Sequence, residues 1–139
     1  MSKKITIDGK EYDIACSAYT RFEYKKMFGT GMMADIKKLS DLSQKQEDYR
    51  NELSKNKKLS KDEIEQKVNN MFLDEVDEFI EIIEKITYSL IITATPNFGS
   101  FEDFLKGLES IDLASNWVSE VTETAVSSFR WWWLKERSR

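Results

Sequence analysis

The sequence predicts a mainly α (α+β) fold: an N-terminal β-hairpin followed by a bundle of about four to five helices. Three observations carry this. Only 5 of the 139 residues are Gly and one is Pro, so little interrupts regular structure. Apolar residues recur at helical spacing through most of the chain. One stretch, residues 3–14, is the only strong strand signal. A chain of 139 residues fits a single domain, 1–139, with a modest core that needs no staple.

The hairpin comes first. In Ile5-Thr6-Ile7-Asp8-Gly9-Lys10-Glu11-Tyr12-Asp13-Ile14, Asp8-Gly9 is the preferred dipeptide for a two-residue turn whose central positions need positive φ. That register sets Ile5 opposite Tyr12 and Ile7 opposite Lys10, and gathers Ile5, Ile7, Tyr12 and Ile14 on one face. A two-stranded hairpin is marginal in water, so this face must pack on a helix or on another subunit.

Helices are expected over 17–53. Ser17 can cap the first, which runs to about Phe28 with Ala18, Tyr19 and Phe22 as its apolar stripe. Gly29 suits the left-handed position that ends it. A second helix is expected from about Met32 to Leu53, with Met32, Ile36, Leu39, Leu42, Tyr49 and Leu53 at helical spacing and Gln46 in one apolar slot. Residues 54–60, Ser-Lys-Asn-Lys-Lys-Leu-Ser, read as a mobile polar linker.

Helices return over 61–136. Ser60-Lys61-Asp62-Glu63 is a capping box. One long helix should follow to about Thr93, through Ile64, Val68, Met71, Phe72, Val76, Phe79, Ile83, Ile86 and Leu90. At ~1.5 Å per residue it would measure roughly 50 Å, so a kink or a projecting end is expected. Asp74, Glu75, Asp77, Glu78, Glu81 and Glu84 give it an acidic outer face. Pro96 and Gly99 break the chain. Ser100-Phe101-Glu102-Asp103 starts a short helix with Phe101, Phe104, Leu105 and Leu108. The last helix is expected from about Leu113 to Glu136, with Ala114, Val118, Val121, Ala125, Phe129 and Trp132 on one face.

Composition excludes most catalytic designs. There is no histidine and a single cysteine, Cys16. The commonest general base and metal ligand are therefore absent, and so are His-dependent nucleophile arrangements and Cys/His zinc sites. Cys16 cannot form an internal disulfide, which fits a reducing compartment. There is no P-loop, and Gly29-Thr30-Gly31 lacks dinucleotide-fingerprint spacing. Most of the 25 acidic residues lie among lysines on charged helix faces. No enzyme activity is expected, nor any catalytic residue, cofactor or metal.

The longest uncharged stretch, Ile86–Phe101, has 16 residues and contains Pro96 and Gly99, too short and broken to span roughly 30 Å of hydrocarbon. No signal peptide is visible, and the expected location is the cytoplasm. A net charge of −4 argues against sequence-independent nucleic-acid binding. The stretch from Gln44 to Lys67 balances seven basic against six acidic residues, which reads as a solvated face and linker.

Two stripes have a second reading. Phe129-Arg130-Trp131-Trp132-Trp133-Leu134-Lys135-Glu136-Arg137 cannot place three adjacent tryptophans on one helical face, because successive residues turn by about 100°. Trp132 can be core with its neighbours as half-buried caps. Alternatively the segment makes a protein contact, including self-association, since exposed Trp with Arg is typical of binding hot spots. Its net basic charge also leaves membrane-interface or single-stranded nucleic-acid contact open. The Phe72–Leu90 stripe is heptad-like over fewer than three heptads, either bundle core or a coiled-coil partner site. The candidate partner-binding residues are Phe129, Arg130, Trp131 and Trp133, with Phe101 and Phe104 of the short helix.

Two stretches resemble the tail assembly chaperones of long, non-contractile-tailed (siphovirus-type) bacteriophages and prophages. One is Ile5–Ile14, with its Asp8-Gly9-Lys10-x-Tyr12 turn leading to a helix that carries Arg21-Phe22-Glu23. The other runs from Ile86-Thr87-Tyr88-Ser89-Leu90 to Ser100-Phe101-Glu102-Asp103-Phe104-Leu105. Together they bracket about residues 3–108. The resemblance implies a role in virion morphogenesis in the bacterial host cytoplasm. Such chaperones keep the long helical tape measure protein soluble and extended, then recruit the tail tube protein, and often exist also as a longer frameshifted form. The expected partners are thus the tape measure and tail tube proteins, with self-association through the hairpin edge or the aromatic C-terminal run. The alternative is a small regulatory protein that binds nucleic acid through that basic aromatic segment.

Overall fold

A computed structural model describes residues 3–127. The elements in order are β1 (Lys3–Ile7), β2 (Lys10–Ile14), α1 (Ala18–Phe28), α2 (Met32–Ser54), α3 (Lys61–Met71), α4 (Leu73–Ala94), α5 (Phe101–Lys106) and α6 (Asn116–Ser127). The fold is mainly helical behind an N-terminal antiparallel hairpin, as the sequence predicts. The chain groups into two compact units, one formed by residues 1–32 and 83–139, the other by residues 33–82. The first unit is therefore discontinuous in sequence.

In the first unit the hairpin has the expected register, Ile5 opposite Tyr12 and Ile7 opposite Lys10. Asp8 and Gly9 have φ values of 52° and 79°, as a two-residue hairpin turn requires. Ile5, Ile7, Tyr12 and Ile14 are all buried, with β1 lying against α6. The Ala15 amide donates to the Leu90 carbonyl at 3.1 Å and joins the exit of β2 to α4. The Glu109 amide donates to the Asp8 carboxylate at 3.2 Å.

Helix α1 follows Ser17, whose amide donates to Thr20 Oγ1 at 2.9 Å. Gly29, at φ 77°, closes it by donating to the Lys25 carbonyl at 2.8 Å. Its buried stripe differs from the expected one. Thr20 and Tyr24 are fully buried and Phe28 half-buried, whereas Tyr19 and Phe22 are 61% and 60% exposed. The inward stripe follows i, i+4, i+8 spacing from Thr20. Thr20 tolerates burial because its hydroxyl is bonded on both sides, to Ser17 and to Thr93.

The second half of α4 is buried on nearly every side: Ile83, Ile86, Thr87, Tyr88, Ser89, Leu90 and Ile91 are all inside. Its hydroxyls return to their own helix, Thr87 to the Ile83 carbonyl at 2.7 Å and Ser89 to the Lys85 carbonyl at 2.9 Å. The expected break at Pro96 and Gly99 is present. Gly99 has φ 130°, and Ser100 Oγ caps α5 by accepting from the Asp103 amide at 3.1 Å.

Helix α6 starts three residues later than expected. Asp112 accepts from the Ala114 amide through its side chain at 3.0 Å and from the Ser115 amide through its carbonyl at 2.9 Å, which holds Leu113 and Ala114 in a turn. Trp117, Val118, Val121 and Ala125 are its buried residues; Ala114 is exposed. The expected continuation from 128 to 136 lies outside the described residues.

In the second unit, Leu39, Leu42, Ile64, Val68 and Ile82 form the buried apolar set, and Asp35 is buried as well. The capping box at Ser60 forms as predicted: the Glu63 amide donates to Ser60 Oγ at 3.2 Å and the Ser60 amide to Glu63 Oε1 at 3.1 Å. The linker is a hydrogen-bonded turn, with the Lys58 and Leu59 amides both donating to Asn56, at 3.0 and 3.1 Å. The long helix divides at Phe72, which leaves helical geometry at φ −112°, ψ 23°. The break seats the Phe72 ring edge-on against Tyr49 with centroids 6.0 Å apart. Arg50 grips Glu65 through two nitrogens, Nε to Oε1 at 2.6 Å and Nη2 to Oε2 at 3.3 Å, and so ties α2 to α3.

Candidate functional site

The residues expected to bind partners fall into two groups. Phe129, Arg130, Trp131 and Trp133 lie outside the described residues. Phe101 and Phe104 belong to the aromatic core of the first unit. Phe104 is 3% exposed and lies 6.0–6.2 Å, centroid to centroid, from Tyr12, Tyr88 and Phe98. Phe101 is half-buried, 5.0 Å from Phe28 and 5.3 Å from Tyr88. Edge-to-face and tilted geometry at these separations is the packing aromatic rings prefer. A partner would reach Phe104 only by opening the core.

Tyr88 anchors this cluster. Its phenol donates to the Gly99 carbonyl and so pins the turn between α4 and α5. Burial, reinforced by the negative charge of Asp103, raises its pKa above the ordinary 10.0.

A different surface is open in the second unit. Leu39, Leu42, Phe79 and Ile82 floor a groove of about 250 Å³ between α2 and the first half of α4. Lys38, Asp41, Lys45, Glu75 and Glu78 rim it with both charge signs, and Lys38 pairs with Glu78 at 3.4 Å. The volume is below the ~300–1,000 Å³ of pockets for drug-sized ligands, so it suits one or two side chains of a protein partner better than a metabolite.

On the same unit, Met71 and Leu73 flank the helix break and are each 60% exposed. Sequence periodicity had assigned Met71 to the buried stripe. The missed signal was the run Met71-Phe72-Leu73: three adjacent apolar residues cannot share one helical face, and here Phe72 takes the inward place.

In the first unit a cavity of about 440 Å³ is lined by Lys4, Asp8, Asp112, Asn116, Trp117 and Glu120 among others. Among the described residues every buried side-chain polar atom already has a hydrogen-bond partner, so none is left aimed into this cavity to fix a ligand. No group of three or more His, Cys, Asp or Glu among the described residues could hold a metal ion. Nor is any described helix long and apolar enough to cross a membrane.

One further surface lies on α1. The Tyr19 and Phe22 rings stack 6.2 Å apart at an interplanar angle of 28°, and the Lys26 ammonium lies 6.0 Å from the Phe22 centroid. A hydrogen bond with Glu23, and then its charge, raises the Tyr19 pKa.

No family model, curated protein or solved structure matches this chain.

Proposed function

We propose that this chain is a tail assembly chaperone of siphovirus-type phages, binding and solubilising a tape measure protein and helping to recruit tail tube subunits. The observation that carries the reading is the groove between α2 and α4, with its apolar floor and mixed-charge rim, on the same unit as exposed Met71 and Leu73. An amphipathic helix docks by laying apolar residues at i, i+3, i+4 and i+7 into such a groove, and its flanking charges pair with the rim. A long helical protein offers that pattern many times over. The chaperone then needs only to cover apolar stripes until another subunit replaces it, which requires no catalytic group. The resemblance of two stretches to that family, Ile5–Ile14 with the Arg21-Phe22-Glu23 helix and Ile86–Leu105, supplies the identity of the partner; the groove, which lies between them in sequence, supplies a means of binding it.

The test is co-expression with tape measure proteins encoded near this chain's gene. The expected result is a tape measure protein that stays in the soluble fraction with the chaperone and precipitates without it. No gain in solubility across the candidates overturns the reading.

A further inference from the structure

The sheet of the first unit has two strands, so β1 has one edge with no strand beside it. The register fixes which backbone groups face that edge. Ile7 and Lys10 flank the two-residue turn as a hydrogen-bonded pair, and such pairs alternate with non-hydrogen-bonded ones along an antiparallel ladder. Lys4 and Thr6 occupy the non-hydrogen-bonded positions, so their amides and carbonyls point away from β2. No backbone group among the described residues bonds to them there. We propose that this edge takes an extended peptide segment of a partner protein, rich in lysine or arginine, as a third strand.

The first argument is space. The cavity of about 440 Å³ lies along this edge: the hairpin lines it with Lys4, Thr6 and Asp8 but with no residue of β2, and Asp112 and Glu120 stand on the opposite wall. Its volume falls within the ~300–1,000 Å³ of ligand-sized pockets. Three added residues at ~3.3 Å each would span Lys4 to Thr6. Strand addition binds through main-chain groups, so it does not require an unsatisfied buried side chain in the cavity.

The second argument is charge. Asp8, Asp112 and Glu120 bring three carboxylates to the cavity. The ammonium of Lys4 is held at 2.9 Å by Asp13 of β2, across the strand from the open edge. Asp8 and Asp112 each use one oxygen on a backbone amide, of Glu109 at 3.2 Å and of Ala114 at 3.0 Å, and keep the other for a cation. A cationic strand therefore gains main-chain bonds from the edge and charge pairing from the wall. A second copy pairing β1 to β1 would carry an identical wall along its own edge and set the same carboxylates against each other. A single slender strand avoids both conflicts.

The inference concerns the first unit and an extended partner, and it does not rest on the tail-assembly reading, whose groove lies in the second unit.

The test uses the full chain labelled with nitrogen-15, and as probe the capped heptapeptide Thr-Lys-Val-Lys-Val-Lys-Thr. The expected result is a dissociation constant below ~1 mM, with amide shifts centred on Lys4 and Thr6 and slower hydrogen exchange at those two amides. The peptide with Glu in place of each Lys should bind at least about tenfold more weakly. So should one of the two versions methylated on alternate amide nitrogens, because an added strand pairs through one edge only. Asp112→Asn with Glu120→Gln should weaken the Lys peptide by about tenfold, while the Asn oxygen still accepts from the Ala114 amide. Absence of binding, equal binding of the Glu peptide, indifference to both methylation patterns or to the double variant, or shifts that miss Lys4 and Thr6 would each overturn the proposal. Slowed exchange at those amides on raising the protein concentration alone would assign the edge to a second copy and overturn it as well.

Discussion

The hydroxyls of Thr20 and Thr93 meet at 2.7 Å between α1 and α4. Thr93 already donates its one hydroxyl proton to the Ser89 carbonyl at 2.8 Å. Thr20 must therefore be the donor to Thr93, while it accepts from the Ser17 amide at 2.9 Å. The result is a directed chain, Ser17 amide to Thr20 to Thr93 to Ser89 carbonyl, in a site where Thr20 is fully buried. Each bond in such a chain polarises the next.

Thr93→Val should cost about 1–3 kcal/mol in urea unfolding, because the Thr20 proton is left buried without an acceptor. Thr20→Val should cost at least as much, since it also removes the acceptor of the Ser17 amide. Thr20→Val with Thr93→Val should fall short of the sum by about 0.5 kcal/mol or more. Strict additivity would show that the two hydroxyls act independently.

Tyr88 makes stability depend on alkaline pH. Burial and Asp103 raise its folded-state pKa above 10.0, so its contribution is fully present below pH 10.0 and declines as pH rises through the folded value. Tyr88→Phe should lose about 1 kcal/mol at neutral pH, with the Gly99 carbonyl left unpaired. Above pH 10 the variant should lose stability less steeply than the parent, as measured by denaturant midpoints across the range.

Glu65 works at the other end of the scale. Hydrogen bonds from Arg50 hold its pKa below the ordinary 4.5, against the opposing effect of burial. The stabilisation is therefore present above pH 4.5 and is lost as pH falls through the depressed folded value. Both partners keep substantial exposure, 34% and 52%, so the pair should contribute less than about 1 kcal/mol. Glu65→Gln should be slightly less stable than the parent at neutral pH and indistinguishable from it in strong acid. A constant difference across pH would show that Arg50 prefers Glu65 for its shape and not its charge.

Met71 and Leu73 separate binding from folding. Met71→Lys with Leu73→Lys should change stability by no more than about 0.5 kcal/mol per site, since both side chains are exposed. Under the chaperone reading, the same variant should lose much of its ability to keep a tape measure protein soluble. A thermal midpoint that drops along with solubilisation would mean these residues pack within the fold.

The hairpin was the most legible part of the chain, because Asp8-Gly9 fixes both turn and register and strict alternation then assigns the faces. Both capping signals, at Ser17 and Ser60, also marked true helix starts. The errors came where polarity and burial part company. Thr20 is buried through paired hydroxyls, while Tyr19 and Phe22 stay outside, and no periodicity of apolar residues can reveal that exchange. The division at Phe72 was foreseen only as a kink somewhere in an overlong helix; its position depends on a ring contact with Tyr49, a residue 23 positions away. The groove was half-legible: Leu39, Leu42 and Phe79 lay on expected stripes, but a stripe does not say whether a neighbour covers it.

The discontinuity of the first unit sets an order of events on the ribosome. The hairpin emerges first, yet its partners lie far downstream: the Glu109 amide that meets Asp8 is 101 residues away, and Ala125 follows Cys16 by 109. Residues 33–82 are contiguous and form one compact unit, whose buried residues include Leu39, Leu42, Ile64, Val68 and Ile82. Local contacts form before distant ones because less chain entropy is lost in closing them. Nascent chains should thus resist protease first within 33–82, while Ile5, Ile7 and Ile14 wait for α6 to be synthesised. For that interval the hairpin is a sticky intermediate, and its lysines at positions 3, 4 and 10 are the guard against premature strand pairing.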